Sequence, residues 1–165
     1  KDGRTIVNPL RLNQKTQNMM ELSTVLYYVG KPRKDSRVIE NTAKGLVDSK
    51  TVLNATHEIR NACINYKRGL LMGNFDMISE LMETYWRMKL ETNPHVASPE
   101  ILDSYDFARK NGATAAKISG AGGGGHMVLF TEFEERHRLI SALKKKEGRV
   151  VPFKFVNHGV DVWRQ

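Results

Sequence analysis

The chain has 165 residues, 40% apolar and 27% charged, which suits one packed domain and argues against general disorder. Its single cysteine, Cys63, excludes a disulfide framework and a Cys-based zinc site and fits a reducing compartment. Lys and Arg total 26 against 18 Asp and Glu, a net charge of +8 that suits a polyanionic partner such as a nucleotide, sugar phosphate or nucleic acid, or simply a solvated basic surface. No run approaches about 18 consecutive apolar residues, so no transmembrane helix is expected, and Lys1-Asp-Gly-Arg4 shows no signal peptide.

In chain order, Ile6-Val7 suits a short strand and residues 14–21 a short helix. Val25-Leu-Tyr-Tyr-Val29 is a β-prone run ending at Gly30 and predicts a buried strand, which Pro32 then breaks. Residues 36–111 read as mostly helical. Ser36 caps a helix to about Val47, and a long helix follows over residues 51–72. The apolar positions Val52, Ala55, Ile59, Ala62, Cys63, Tyr66 and Leu70 of that helix keep helical spacing, which puts Cys63 in the core. Gly73 ends it and Asn74 caps the next, whose stripe is Phe75, Ile78, Leu81, Met82, Tyr85 and Met88. Asn93-Pro94 closes that unit. Ser98-Pro-Glu100 supplies an N-cap, a proline in the first turn and a favourable acid for a helix stopping at Gly112.

The last third changes character. Residues 114–118 and 126–130 predict two strands joined by a glycine loop. Thr131-Glu-Phe-Glu134 has the spacing of a capping box, opening a helix to about Lys146 whose end carries Lys144-Lys-Lys146. Gly148 closes it, and residues 149–156 and 160–163 suit two final strands. Helices mixed with a few mostly antiparallel strands make the chain α+β, one domain over residues 1–165.

Five of the thirteen glycines fall within residues 120–125. Each ordered glycine carries an extra entropic cost, so such a run needs a reason: positive φ, or backbone that must approach something closely. Successive amides in such turns form a concavity for anions. Lys117 and Ser119 add a cation and a hydroxyl beside Gly120, Ala121, Gly122, Gly123, Gly124 and Gly125. A Walker A loop would continue with Lys-Ser/Thr, where His126-Met127 stands, and a dinucleotide fingerprint would continue into a helix, where a strand follows.

The run Ala115-Ala-Lys-Ile-Ser-Gly-Ala-Gly-Gly-Gly-Gly-His-Met-Val-Leu-Phe130 resembles the third, C-terminal motif of the GHMP kinases, which phosphorylate small molecules such as galactose, homoserine and mevalonate. Tyr27-Tyr-Val-Gly-Lys-Pro-Arg33, Trp86-Arg-Met-Lys89, Ser98-Pro-Glu-Ile101, Ala108-Arg-Lys-Asn-Gly-Ala113 and Val151-Pro-Phe-Lys-Phe155 follow in the order seen in the D-glycero-D-manno-heptose phosphate kinase branch. The resemblance implies a ferredoxin-like fold and phosphoryl transfer from Mg-ATP to a sugar hydroxyl in the cytoplasm. The family's Pro-x-x-x-Gly-Leu-Gly-Ser-Ser phosphate loop does not occur here, so the resemblance implies the C-terminal half of a kinase. An N-terminal domain would then hold most contacts to ATP and Mg2+. The glycine loop would complete the cleft, with no catalytic residue and no metal ligand from this chain.

Arg33 and Lys89 are the candidates for an anionic group on the sugar: Arg33 lies between a strand and a helix start, and Lys89 shares a helix face with Trp86. His57-Glu58 lacks the second histidine of a zinc protease helix, since Asn61 takes its place. The rival reading is a non-catalytic ferredoxin-like module that binds a nucleotide or RNA. An RNA binder of that fold needs aromatics exposed on its strands, whereas Tyr27, Tyr28, Phe130, Phe153 and Phe155 have apolar neighbours and are expected to be buried.

Overall fold

Alternation organises the sheet. In β1 (Thr24–Gly30), Val25 and Tyr27 are each 1% exposed on one face, while Leu26 and Tyr28 are half-buried on the other. The computed structural model describes residues 7–30, 37–156, 159–160 and 162–163. Pro32, Arg33 and Ser36, expected as strand break, substrate contact and helix cap, lie outside the described residues. β3 (Gly125–Thr131) pairs antiparallel with one edge of β1, with Tyr27 opposite Met127, and β4 (Arg149–Val151) pairs antiparallel with the other, with Tyr27 opposite Val150. β2 (Ala113–Ile118) lies antiparallel on the far side of β3. The spatial order β4-β1-β3-β2, with helices between β1 and β2 and between β3 and β4, is the ferredoxin-like α+β topology.

Six helices complete the described fold: α1 (Gln14–Ser23), α2 (Arg37–Asp48), α3 (Lys50–Met72), α4 (Phe75–Thr92), α5 (Pro99–Lys110) and α6 (Arg136–Leu143). Local chemistry sets several of their ends. The side chains of Asn13, Ser49, Asn74 and Ser98 each accept a backbone amide proton of the first turn, satisfying donors that the helix cannot. Gly73 stops α3 in the left-handed region at φ 64°. Ala55, Ala62 and Gly69, seven residues apart and all buried, give α3 a narrow seam of small residues where α4 approaches closely.

Val25, Tyr27, Ala116, Ile118, Met127 and Leu129 from the inner face of the sheet pack with Trp86, Val96, Ile101, Ala108, Leu139 and Leu143 in the main core. Ala115 and Phe130, on the outer face, join Ile78 and Met82 of α4 in a second cluster. A fully buried Leu, Ile or Phe contributes about 1.5–3 kcal/mol, so these two clusters outweigh the caps in holding the fold.

Several expectations are corrected. The Thr131 hydroxyl donates to the Gly112 carbonyl at 2.7 Å inside β3, so it caps nothing, and α6 starts five residues later without a side-chain cap. That helix ends at Leu143, short of Lys146. The strand expected over residues 149–156 stops at Val151, because Pro152 has no N–H to give the ladder. Val160, Val162 and Trp163 are highly exposed and form no strand, and neither does Val7. Phe155 is exposed, and Tyr28 is half-buried rather than fully buried. Cys63 is exposed: it sits about 100° round α3 from Ala62, off the narrow seam.

Candidate functional site

The Ser119 amide donates to the His126 carbonyl at 2.8 Å and closes the β2–β3 hairpin. Beyond it Gly120, Gly122, Gly123, Gly124 and Gly125 take φ values of 81°, 114°, 81°, 138° and 89°. A side chain in that region costs roughly 1–2 kcal/mol per residue, which accounts for the composition of the loop. Close approach adds a second reason at Gly122, where a Cβ would stand 2.8 Å from the Val96 carbonyl oxygen. The Gly123 amide donates to that same oxygen at 2.8 Å.

The loop therefore rests on the 3-10 turn Pro94–Val96. Asn93 fixes this turn: its side chain accepts the His95 amide proton at 2.9 Å, and its carbonyl accepts that of Val96 at 3.1 Å. The Val96 side chain is buried in the main core, so the seat is rigid. On its other side a Cβ at Gly120, Gly123 or Gly125 would meet nothing within 4 Å among the described residues. The amides of Gly120, Ala121, Gly122 and Gly124 have no acceptor among the described residues. Next to the loop, a cavity of about 240 Å³ is lined by Val29, Gly30, Ser98, Glu100, Ile101, Gly123 and Gly124. The result is a set of backbone donors on a buried base, without acceptors among the described residues.

Lys117 belongs to a different surface. It alternates with the inner-facing Ala116 and Ile118, and its ammonium lies over the Tyr85 ring, 5.0 Å from the centroid, on the outer face. Burial lowers its pKa, and the nearby charge of Lys89 lowers it further. The fold thus brings Lys117 and Lys89 together, whereas Ser119 is exposed at the loop itself. Arg33 lies outside the described residues. Lys146, from the basic run after α6, pairs with Asp103 and stands 4.7 Å from the Phe107 ring centroid. His126 is a strand residue tilted against Tyr28, with ring centroids 5.2 Å apart.

Two features carry almost no sequence signal. Asn93 and Val96 form the seat of the loop, with only an Asn-Pro step to mark them. Glu83 joins three elements: it accepts the Ala116 amide proton at 2.9 Å and the Tyr105 hydroxyl proton at 2.5 Å. Burial first, and the Glu83 hydrogen bond and charge next, push the Tyr105 pKa up to about 12.

Residues 62–149 match the family described as GHMP kinases C terminal. Over 161 residues the chain is 35% identical to D-glycero-alpha-D-manno-heptose 7-phosphate kinase from Campylobacter jejuni, covering 98% of this chain and 47% of that protein. A crystal structure described as a sugar kinase from Campylobacter jejuni superposes with a TM-score of 0.67 at 31% identity, over 97% of this chain and 42% of that one. A D-glycero-D-manno-heptose 1-phosphate kinase from Bacteroides thetaiotaomicron gives 0.66 at 24% identity, over 96% and 42%. The chain spans about half the length of these relatives.

Proposed function

The chain belongs to the GHMP kinases, through the C-terminal domain of that family, and on that premise we propose that it is the C-terminal half of an ATP-dependent kinase for a heptose phosphate or a related sugar. One observation carries the reading: four loop amides without an acceptor among the described residues, in a loop seated on a buried turn at the end of the sheet. Phosphoryl transfer needs little covalent chemistry from the protein and depends on positioning and on stabilising charge on the transferred group. Amides fixed beforehand supply that stabilisation without reorganising during the reaction.

In this reading the loop closes the phosphate side of a cleft whose other wall is the N-terminal domain. Most contacts to ATP, and the group that receives the hydroxyl proton, belong to that domain. Mg2+ would be held mainly by the nucleotide phosphates and the N-terminal domain, and no step is assigned to it on this chain. Arg33 and Lys89 serve the anionic group of the sugar. A cytoplasmic setting accords with the single cysteine, and among the described residues no helix is long and apolar enough to cross a membrane.

The RNA-binding alternative is not favoured. Among the described strands Tyr27 and Phe130 are buried and Tyr28 is half-buried, so the sheet offers no row of exposed rings for base stacking. The test measures ATP consumption across a panel of sugars and heptose phosphates, using these 165 residues alone and joined to a GHMP N-terminal domain from the same gene. We expect turnover only from the joined protein, with a phosphosugar preferred. Turnover by the 165 residues alone overturns the half-enzyme reading, and a joined protein inert toward every sugar overturns the kinase reading.

A further inference from the structure

We propose that the groove between α3, α4 and the outer face of the sheet is a second ligand site, built for a small anion carried on an apolar or aromatic body. The cavity measures about 380 Å³ and is lined by Ala62, Cys63, Tyr66, Leu81, Met82, Tyr85, Lys117 and Val128. That volume lies in the range of small-molecule sites. Four elements supply its walls: Ala62, Cys63 and Tyr66 come from α3, Leu81, Met82 and Tyr85 from α4, and Lys117 and Val128, register partners on β2 and β3, form the floor.

The chemistry of this lining is lopsided. Lys117 is its one charged group. It has no carboxylate within ion-pair distance among the described residues, and neither has Lys89, which adds positive potential from outside the lining. A half-buried ammonium beside a second cation, with only an aromatic face for company, has lost hydration without gaining a counter-charge. An anion restores that charge balance. Around the cation the lining side chains are carbon, apart from two phenols, one thiol and one thioether, so a sugar body would leave most of its hydroxyls unpaired there. The body that fits is aromatic or aliphatic. The Lys117 side chain lies on the outer face of β2, over Tyr85, and its lack of a counter-charge holds whether or not the neighbouring Lys89 serves the sugar as proposed above.

Cys63 is the chain's only cysteine and lines this groove, so its reactivity reports occupancy. The experiment compares two aromatic disulfide reagents: dithiobis-nitrobenzoate, which carries carboxylates, and neutral dithiodipyridine. Both react with the same thiolate, so the ratio of their rates cancels any change in thiol ionisation. We expect this ratio to exceed that of free glutathione by about tenfold or more. Lys117→Gln should return it to the glutathione value. Lys144→Gln, which removes the same charge from the end of α6 on the other side of the sheet, should leave it high. In the unaltered protein, octyl phosphate should protect Cys63 from both reagents with saturation, while inorganic phosphate and octyl glucoside at equal concentration should not. A native ratio equal to that of glutathione overturns the proposal, as does an equal effect of the two lysine variants. If Lys117→Gln does not fold, octyl phosphate protection decides, and its absence also overturns the site.

Discussion

Glu83 on α4 closes the free edge of the sheet by accepting the amide proton of Ala116 on β2 at 2.9 Å. β2 is an edge strand, and an edge amide without a partner is both an energetic cost and an invitation to foreign pairing. Because Ala116 is buried, Glu83→Ala leaves that donor unpaired, at a cost of about 1–3 kcal/mol. Glu83→Gln keeps an acceptor for it and should cost less than half as much. Urea unfolding with an unchanged slope measures both. Equal midpoints for the two variants would show that the hydrogen bond adds nothing beyond packing.

Burial of the Tyr105 hydroxyl, and after it the hydrogen bond to the second oxygen of Glu83, give the fold an alkaline limit. Tyr105 has a folded pKa of about 12 against an ordinary 10. Its contribution is therefore complete below about pH 10 and is lost as pH rises through about 12. Tyr27, Tyr66 and Tyr85 are also shifted upward by burial, so the fall in stability is shared. The difference between the unaltered chain and Tyr105→Phe isolates one part of it. Between about pH 8 and about pH 11 the unaltered chain should lose more stability than the variant. Parallel losses would place the alkaline sensitivity on the other three tyrosines.

Gly122 and Gly123 separate contact from conformation. Both need positive φ, but a Cβ at Gly122 meets backbone at 2.8 Å while one at Gly123 meets nothing within 4 Å. Gly123→Ala should cost roughly 1–2 kcal/mol in backbone strain. Gly122→Ala should cost more, because the loop must also leave Val96. In the complete enzyme, valine at Gly123 or Gly124 should lower turnover by about 100-fold or more, the scale of losing a preorganised donor. The domain should stay folded, since the loop contributes no side chain to the core. Near-normal turnover would reduce the loop to a connector.

Features written in local chemistry are legible in the amino-acid order itself. The caps at Asn74 and Ser98, the stop at Gly73 and the alternation of β1 each depend on residues a few positions apart. The glycine loop is legible for the same reason, since its φ values demand the residue type. Thr131 misleads because a hydroxyl can serve a cap or a distant carbonyl, and here Gly112, nineteen positions away, takes it. Cys63 misleads because helical spacing cannot tell how wide a face its neighbour covers. The site divides for a similar reason. Lys117 is only two residues from Ser119, but strand alternation turns its side chain to the outer face, away from the loop it adjoins in sequence. Glu83 gives no local sign, because both its partners lie far along the chain.

Lys89 and Arg33 test the proposal that this domain contacts the anionic group of the sugar. Lys89 is half-buried in the last turn of α4, beside Lys117, and has no carboxylate partner among the described residues. A charge-assisted hydrogen bond to phosphate is worth about 1.5–3 kcal/mol. In the complete enzyme, Lys89→Ala or Arg33→Ala should therefore raise the apparent KM for the phosphosugar by roughly 10- to 150-fold, with less effect on that for ATP. The same sugar without its phosphate is the control. A variant that has lost a phosphate contact treats the two sugars more alike, whereas one that has lost packing weakens both equally. If both variants keep the full preference for the phosphorylated sugar, these residues are surface charge. On the proposed reading, the phosphate group is then recognised by the N-terminal domain.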